Sequence, residues 1–66
     1  KEDELTAREK QVLQLMVEGL SYKMIGARLD TSLDTVRSQV KSIYRKLHVN
    51  SKAEAISIAI HYKLKG

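Results

Sequence analysis

Residues that begin helices recur four times along this chain, and their spacing limits the possible folds more than any other feature. Thr6 and Ser51 are each followed three residues later by a glutamate, which is the spacing of a capping box at a helix start. Ser21 and Ser32 are further candidate N-cap residues. Proline is absent and no alternation typical of strands is evident. The pattern predicts an all-α domain, a four-helix bundle with helices at about 7–18, 22–29, 33–47 and 52–64.

Apolar side chains recur at helical spacing inside the predicted helices. The clearest row lies in the third helix and faces the core: Val36, Val40, Ile43 and Leu47. Between the second and third helices, Asp30-Thr31-Ser32 is typical of a tight turn. Two helices joined by a turn of about three residues are typical of a helix-turn-helix motif.

Length and composition exclude several classes of protein. A chain of 66 residues without cysteine forms at most one domain, residues 1–66, with neither disulfides nor thiolate metal sites. His48 and His61 lie far apart in the sequence with no convergent carboxylates, so we expect no metal site. No glycine-rich phosphate loop or nucleophile elbow occurs, so we expect no catalytic residues and no cofactor. No apolar run approaches the roughly 20 residues that span a bilayer.

Positive charge is concentrated in the later part of the chain. Residues 1–20 carry three basic and five acidic residues, a net charge of −2. Residues 21–66 carry nine basic and three acidic residues, a net charge of +6. This excess suits a polyanion such as a phosphate backbone. A basic surface that contacts only solvent explains the charge equally well. The charge alone therefore does not distinguish a DNA-binding surface from a solvated one, and the helix pattern provides the further evidence.

The polar side of the third helix carries side chains that can read DNA bases. Arg37 and Lys41 can donate to guanine, and Ser38 can reach a base edge or a phosphate. Asp34 can accept from cytosine or hold a neighbouring side chain in place, whereas Arg45, deeper in the helix, suits the DNA backbone or solvent. Any surface helix has a polar side, and this one would be ordinary in isolation. The short preceding helix and the tight turn favour DNA.

Ordered motifs along most of the chain resemble one known family. They are Leu5-Thr6-x-Arg8-Glu9, Val12-Leu13, Gly19-x-Ser21-x-Lys23-x-Ile25, Leu29, Ser32-x-x-Thr35-Val36-Arg37, Ile43-x-x-Lys46-Leu47-x-Val49 and Glu54-Ala55. In this order they resemble the C-terminal DNA-binding domain of the LuxR/NarL/FixJ family of bacterial regulators. The resemblance implies a four-helix fold whose third helix enters the major groove of double-stranded DNA.

The resemblance also implies roles for individual residues. Base contacts would come from Arg37, Ser38 and Lys41. Contacts to the DNA backbone, which set the register without reading sequence, would come from Ser21, Lys23, Thr35 and Lys46. Departures from the usual family residues occur at Tyr22 (asparagine), Met24 (acidic), Gly26 (alanine), Thr31 (isoleucine or valine), Gln39 (histidine) and Lys52 (arginine). In helix propensity, Gly26 costs about 1 kcal/mol.

The fourth predicted helix carries more apolar surface than a small core requires. One side has Ala53, Ile56, Ile60 and Leu64, and the other has Ala55, Ile58, Ala59 and Tyr62. We expect the second side to form a homodimer interface, because the resemblance implies dimers on inverted repeats that are held largely by this helix. The alternatives are packing against a regulatory domain and a modest exposed patch.

The expected role is that of an output domain. We expect a piece of a longer cytoplasmic bacterial regulator with an N-terminal regulatory domain, with double-stranded DNA as its partner and RNA polymerase as a further candidate. The alternative is a sigma-factor-like or degenerate helix-turn-helix that mainly binds protein, although such a copy would tend to lose the basic residues of the third helix. A membrane-surface role for the fourth helix is disfavoured by its alanines and by Glu54.

Overall fold

Four helices follow one another in the computed structural model, which describes residues 4–65 and the side chains of residues 4–61. They are α1 (Ala7–Val17), α2 (Tyr22–Leu29), α3 (Leu33–Leu47) and α4 (Lys52–Lys65). Within residues 4–65 no strand occurs. The predicted all-α fold is therefore confirmed, with α1 ending one residue earlier and α4 one residue later than expected.

The predicted N-caps are present. The Thr6 hydroxyl accepts from the backbone amide of Glu9 at 3.1 Å, and the Glu9 carboxylate accepts from the Thr6 amide at 2.9 Å, which completes a capping box. At the start of α4, Ser51 accepts from the Glu54 amide at 3.2 Å. The Glu54 carboxylate, however, accepts from the amide of Asn50 rather than that of Ser51. The bond that Glu54 returns therefore reaches the amide one residue before the N-cap, so the second capping box is incomplete.

Three helices end in a residue with left-handed backbone geometry. Gly19, the predicted end of α1, has φ of +93°, which a residue without Cβ adopts at no steric cost. Asp30 and His48 end α2 and α3 with φ of 56° and 58°, which the sequence pattern did not predict. The following amide returns to the last turn in each case: Leu20 N to Leu15 O, Thr31 N to Gly26 O and Val49 N to Tyr44 O.

The core lies where α1, α2 and α3 meet, and α4 closes it. The largest fully buried side chains are Val12, Met16, Ile25, Val36 and Ile43. The predicted α3 row is buried through its first three members, and its last member, Leu47, is half-buried against the core. Because one side of α3 is used for packing, its opposite side is left to solvent.

The apolar side of α4 that was predicted to form a dimer interface packs against the core, and Ile56 of the other side packs there too. Ala55 has no exposed surface and is taken up by the core, and Ile58 and Ala59 are half-buried against it. Ala53 is exposed, and 42% of Ile60 is exposed. Tyr62, the fourth predicted interface residue, has a side chain outside the described residues. With two apolar rows on one helix, only packing against the other helices decides which row is buried.

Gly26 allows α2 to approach the turn that follows it. A Cβ atom at Gly26 would lie 2.8 Å from the carbonyl oxygen of Thr31 and 3.6 Å from a methyl group of Val36. The Gly26 carbonyl also accepts from the Thr31 amide at 2.8 Å. The glycine therefore costs helix propensity but permits the close contact that sets α3 against α2.

Candidate nucleic-acid interface

The polar side of α3 is open to solvent over its whole length. All five residues that the sequence placed there are exposed: Asp34, Arg37, Ser38, Lys41 and Arg45. The buried row lies on the opposite side of the helix. The structure therefore leaves the predicted recognition surface uncovered by the rest of the described chain.

The cationic groups of this surface are largely unneutralised by direct contacts. Within the described part of the chain, Arg37 and Lys41 form no ion pair. Arg45 donates to the hydroxyl of Ser42, at 3.4 Å, and has no other hydrogen bond among the residues that the structure describes. A cation without a partner in the protein keeps its full attraction for an anion that approaches from solvent.

Three of the predicted backbone-contact residues lie at the starts of α2 and α3: Ser21, Lys23 and Thr35. Ser21 and Ser32 cap α2 and α3, and Thr35 and Lys23 lie in the first turns of the same helices. The Ser21 hydroxyl accepts from the amide of Met24 at 3.2 Å, which leaves its proton available for donation to a phosphate oxygen. Thr35 accepts a 2.8 Å bond from the hydroxyl of Ser32, so it too keeps its own donor. Lys23 is exposed.

Lys46 has a partner inside the protein. Its ammonium lies 2.8 Å from the Glu9 carboxylate, and 15% of its side chain is exposed. Glu9 also accepts from the hydroxyl of Ser42 at 2.6 Å, in addition to the Thr6 amide. The structure therefore gives Lys46 a role in the contact between α1 and α3. Sequence reasoning found Glu9 as a capping residue and missed this second role.

Burial alone raises the pKa of Glu9, because a charged carboxylate loses hydration. Hydrogen bonds from Lys46, Ser42 and the Thr6 amide, together with the charge of Lys46, outweigh burial and lower the pKa from 4.5 to about 2. Glu9 is therefore ionised across the physiological range, and its charge holds the start of α1 against the later half of α3.

A tyrosine pair connects α2 and α3, and a lysine at the start of α4 joins it. The hydroxyl oxygens of Tyr22 and Tyr44 are 3.3 Å apart. Burial, followed by the hydrogen bond with Tyr22, raises the pKa of Tyr44 to about 12, so its phenol stays protonated at neutral pH. The ammonium of Lys52 lies 5.5 Å from the centre of the Tyr22 ring, within cation–π range. Tyr22 and Lys52 are both departures from the family pattern, and that was their only signal in the sequence.

The described residues include neither a cluster of metal ligands nor a membrane-spanning helix. No group of three histidine, cysteine, aspartate or glutamate side chains is placed to hold a metal ion in that part of the chain. None of the helices there has the length and apolar character needed to cross a membrane.

Comparison with known proteins identifies a family that this sequence matches. The sequence matches the family of bacterial regulatory proteins described as the luxR family, over residues 3–59. It is 46% identical over 52 residues to the transcriptional regulatory protein DegU of Brevibacillus brevis, which covers 79% of this chain and 22% of that protein. For YdfI, a transcriptional regulatory protein of Bacillus subtilis, the identity is 44% over 59 residues, 89% of this chain and 28% of YdfI.

The nitrate/nitrite response regulator protein NarL of Escherichia coli is 42% identical over 53 residues, 80% of this chain and 24% of NarL. The chain thus spans less than a third of the length of these three relatives.

Proposed function

The chain belongs to the luxR family of bacterial regulatory proteins, and on this basis we propose that it binds double-stranded DNA sequence-specifically. The proposed domain is the output part of a longer transcription regulator that acts in the bacterial cytoplasm. Two of the three relatives described above are named transcriptional regulatory proteins, the third is named a response regulator protein, and none is named as an enzyme.

The observation that carries the proposal is the exposed polar side of α3. An α-helix with its side chains is about 10–12 Å across, and the major groove is about 12 Å wide. The buried row of α3 anchors the helix to the core, so the opposite side can enter the groove without any unfolding. Electrostatic attraction from Arg37 and Lys41, which form no ion pair with the described residues, favours this approach.

The proposed contacts fall into two groups. Arg37, Ser38 and Lys41 read base edges, and Asp34 accepts from cytosine or orients Arg37. Contacts to phosphates, which orient the domain on the duplex, come from Ser21, Lys23, Thr35 and Arg45. Lys46 is left out of the second group because Glu9 already binds its ammonium.

We further propose that two copies of the domain bind an inverted repeat through α4. The exposed side of α4 carries Ala53, Ser57 and Ile60, which are spaced by four and three residues and share one face. A two-fold contact along this face would place two recognition helices in successive major-groove faces, about 34 Å apart. This face replaces the buried one that the sequence pattern suggested.

Selection of duplexes from a random pool tests the proposal directly. The expected result is an enriched inverted repeat whose half-sites are separated by about one helical turn. Failure to enrich any sequence would contradict sequence-specific binding. If no duplex is enriched and the domain binds purified RNA polymerase in a separate binding assay, the protein-interaction alternative would replace the proposed DNA-binding function.

A further inference from the structure

The side chain of Tyr22 connects three helices at one edge of the recognition surface. Its hydroxyl lies 3.3 Å from that of Tyr44 on α3, and its ring lies 5.5 Å from the ammonium of Lys52 on α4. Tyr22 is half-buried and Lys52 is exposed. The ring is therefore anchored on one side and offers a surface to a solvent-accessible cation on the other.

This cluster lies along the flank of α3. Tyr44 follows the buried Ile43 and is three residues beyond the exposed Lys41, so it occupies the boundary between the core side and the polar side. Phosphate backbones border the major groove on both sides. A cation held at the flank of a helix in the groove therefore lies where a phosphate passes.

The ammonium of Lys52 remains able to bind an anion while it contacts the ring. It forms no salt bridge within the described residues, and a cation–π contact leaves its N–H donors free to point away from the ring. A lysine side chain loses considerable rotamer freedom when it is immobilised. Because the ring restrains Lys52 before DNA arrives, less of that freedom is lost on binding.

We propose that Tyr22 positions Lys52 to bind a backbone phosphate of the DNA at the flank of the recognition helix. Lys52 is the phosphate ligand, and Tyr22 is a positioning residue that acts through it. The proposal rests on the proposed DNA-binding function and adds a contact from α4 to those of α2 and α3. It also gives a role to two residues at which this chain departs from the family pattern.

The test measures the affinity of the domain for a fluorescein-labelled duplex of about 30 base pairs across a range of salt concentrations. Each phosphate neutralised contributes about 0.9 to the slope of log K against log salt. Lys52→Gln is expected to flatten the slope by about that amount and to lower affinity about 3- to 10-fold near physiological salt. Lys10→Gln on α1, an exposed lysine outside the proposed contact surface, is the matched control and should change neither quantity appreciably.

Tyr22 variants separate positioning from a purely structural role. Tyr22→Leu removes the ring and should weaken binding at least about twofold in the wild-type background. It should have no further effect in the Lys52→Gln background, because the residue that it positions is already gone. Tyr22→Phe keeps the ring and should retain the wild-type slope. Circular dichroism at the binding temperature verifies that each variant is folded.

The possible failures are distinguishable. If the wild-type domain binds no duplex, the proposed function itself is overturned. Wild-type binding with an unchanged salt slope in Lys52→Gln overturns only the phosphate contact. Equal losses from Tyr22→Leu with and without Lys52 overturn the positioning role, since the ring would then act independently of the lysine.

Discussion

The ammonium of Lys46 lies 2.8 Å from the carboxylate of Glu9, and this ion pair joins the last turns of α3 to the first turn of α1. Glu9 is almost completely buried and accepts two further hydrogen bonds, from Ser42 and from the Thr6 amide. Removing one partner of such a pair leaves a buried charge uncompensated, which typically costs about 3–5 kcal/mol. The pair therefore couples the helix cap of α1 to the orientation of the recognition helix.

The stability of the domain should depend on Glu9 in acid. Its pKa is lowered on folding from 4.5 to about 2, so its stabilising contribution is complete above pH 4.5 and is lost as the pH falls towards 2. The shift corresponds to a contribution on the order of 3 kcal/mol to the free energy of unfolding at pH 7. Urea denaturation of wild type and Glu9→Gln should show a difference that narrows between pH 4.5 and 2. A constant difference across that range would refute the assignment.

Lys46→Ala should lower stability rather than change how the domain reads DNA. The substitution leaves the Glu9 carboxylate buried without its cation, so we expect the free energy of unfolding to fall by about 3 kcal/mol. Measured where both proteins are folded, the salt dependence of duplex affinity should match that of wild type. A slope flattened by about 0.9 would show that Lys46 binds a phosphate after all.

Gly26→Ala should destabilise the domain although alanine is the better helix former. The new methyl carbon would lie 2.8 Å from the Thr31 carbonyl oxygen, so the backbone of the turn must move. We expect a net loss of about 1–2 kcal/mol in the free energy of unfolding, because overpacking outweighs the gain of about 1 kcal/mol in propensity. Ala27→Gly, an exposed change in the same helix, calibrates the propensity effect. A more stable Gly26→Ala would disprove the close contact.

Lys41→Ala should reduce discrimination between DNA sequences. If Lys41 reads a base, its loss should cost about 1–3 kcal/mol on the selected duplex and much less on a scrambled one. Arg45→Ala on the same helix is the control, since loss of a phosphate contact should weaken both duplexes to a similar extent. Equal weakening of both duplexes by Lys41→Ala would show that Lys41 contacts the DNA backbone rather than a base.

Ile60→Glu should weaken binding to an inverted repeat without unfolding the domain, because Ile60 lies on the exposed side of α4. A charge buried between two copies opposes their contact, so affinity for the two-site duplex should fall at least about tenfold. Affinity for a single half-site should not change. Gln11→Glu adds the same charge on α1 and should affect neither duplex strongly. Unaltered binding of the inverted repeat by Ile60→Glu would exclude this face as the dimer contact.

Helix positions and the recognition surface were predictable from local sequence. Caps such as Thr6 and Ser32 depend on amides three residues away, and a helical stripe depends on positions three and four apart. The apolar row of α3 predicted the exposure of Arg37 and Lys41, because side chains opposite a buried row of a surface helix face solvent. The left-handed ends at Asp30 and His48 escaped prediction because neither residue is a glycine, the usual marker of that geometry.

By itself, the sequence determined which segments are helical and which side of α3 carries the chemistry, since both depend on neighbours within one helical turn. Tertiary structure alone decided which apolar row of α4 is buried and which residues Lys46 and Tyr22 contact. Lys46 meets Glu9 across 37 positions of the chain, and Tyr22 meets Tyr44 across 22. Such partners come together only when helices pack, and one helix with two similar apolar rows can satisfy its local preferences either way.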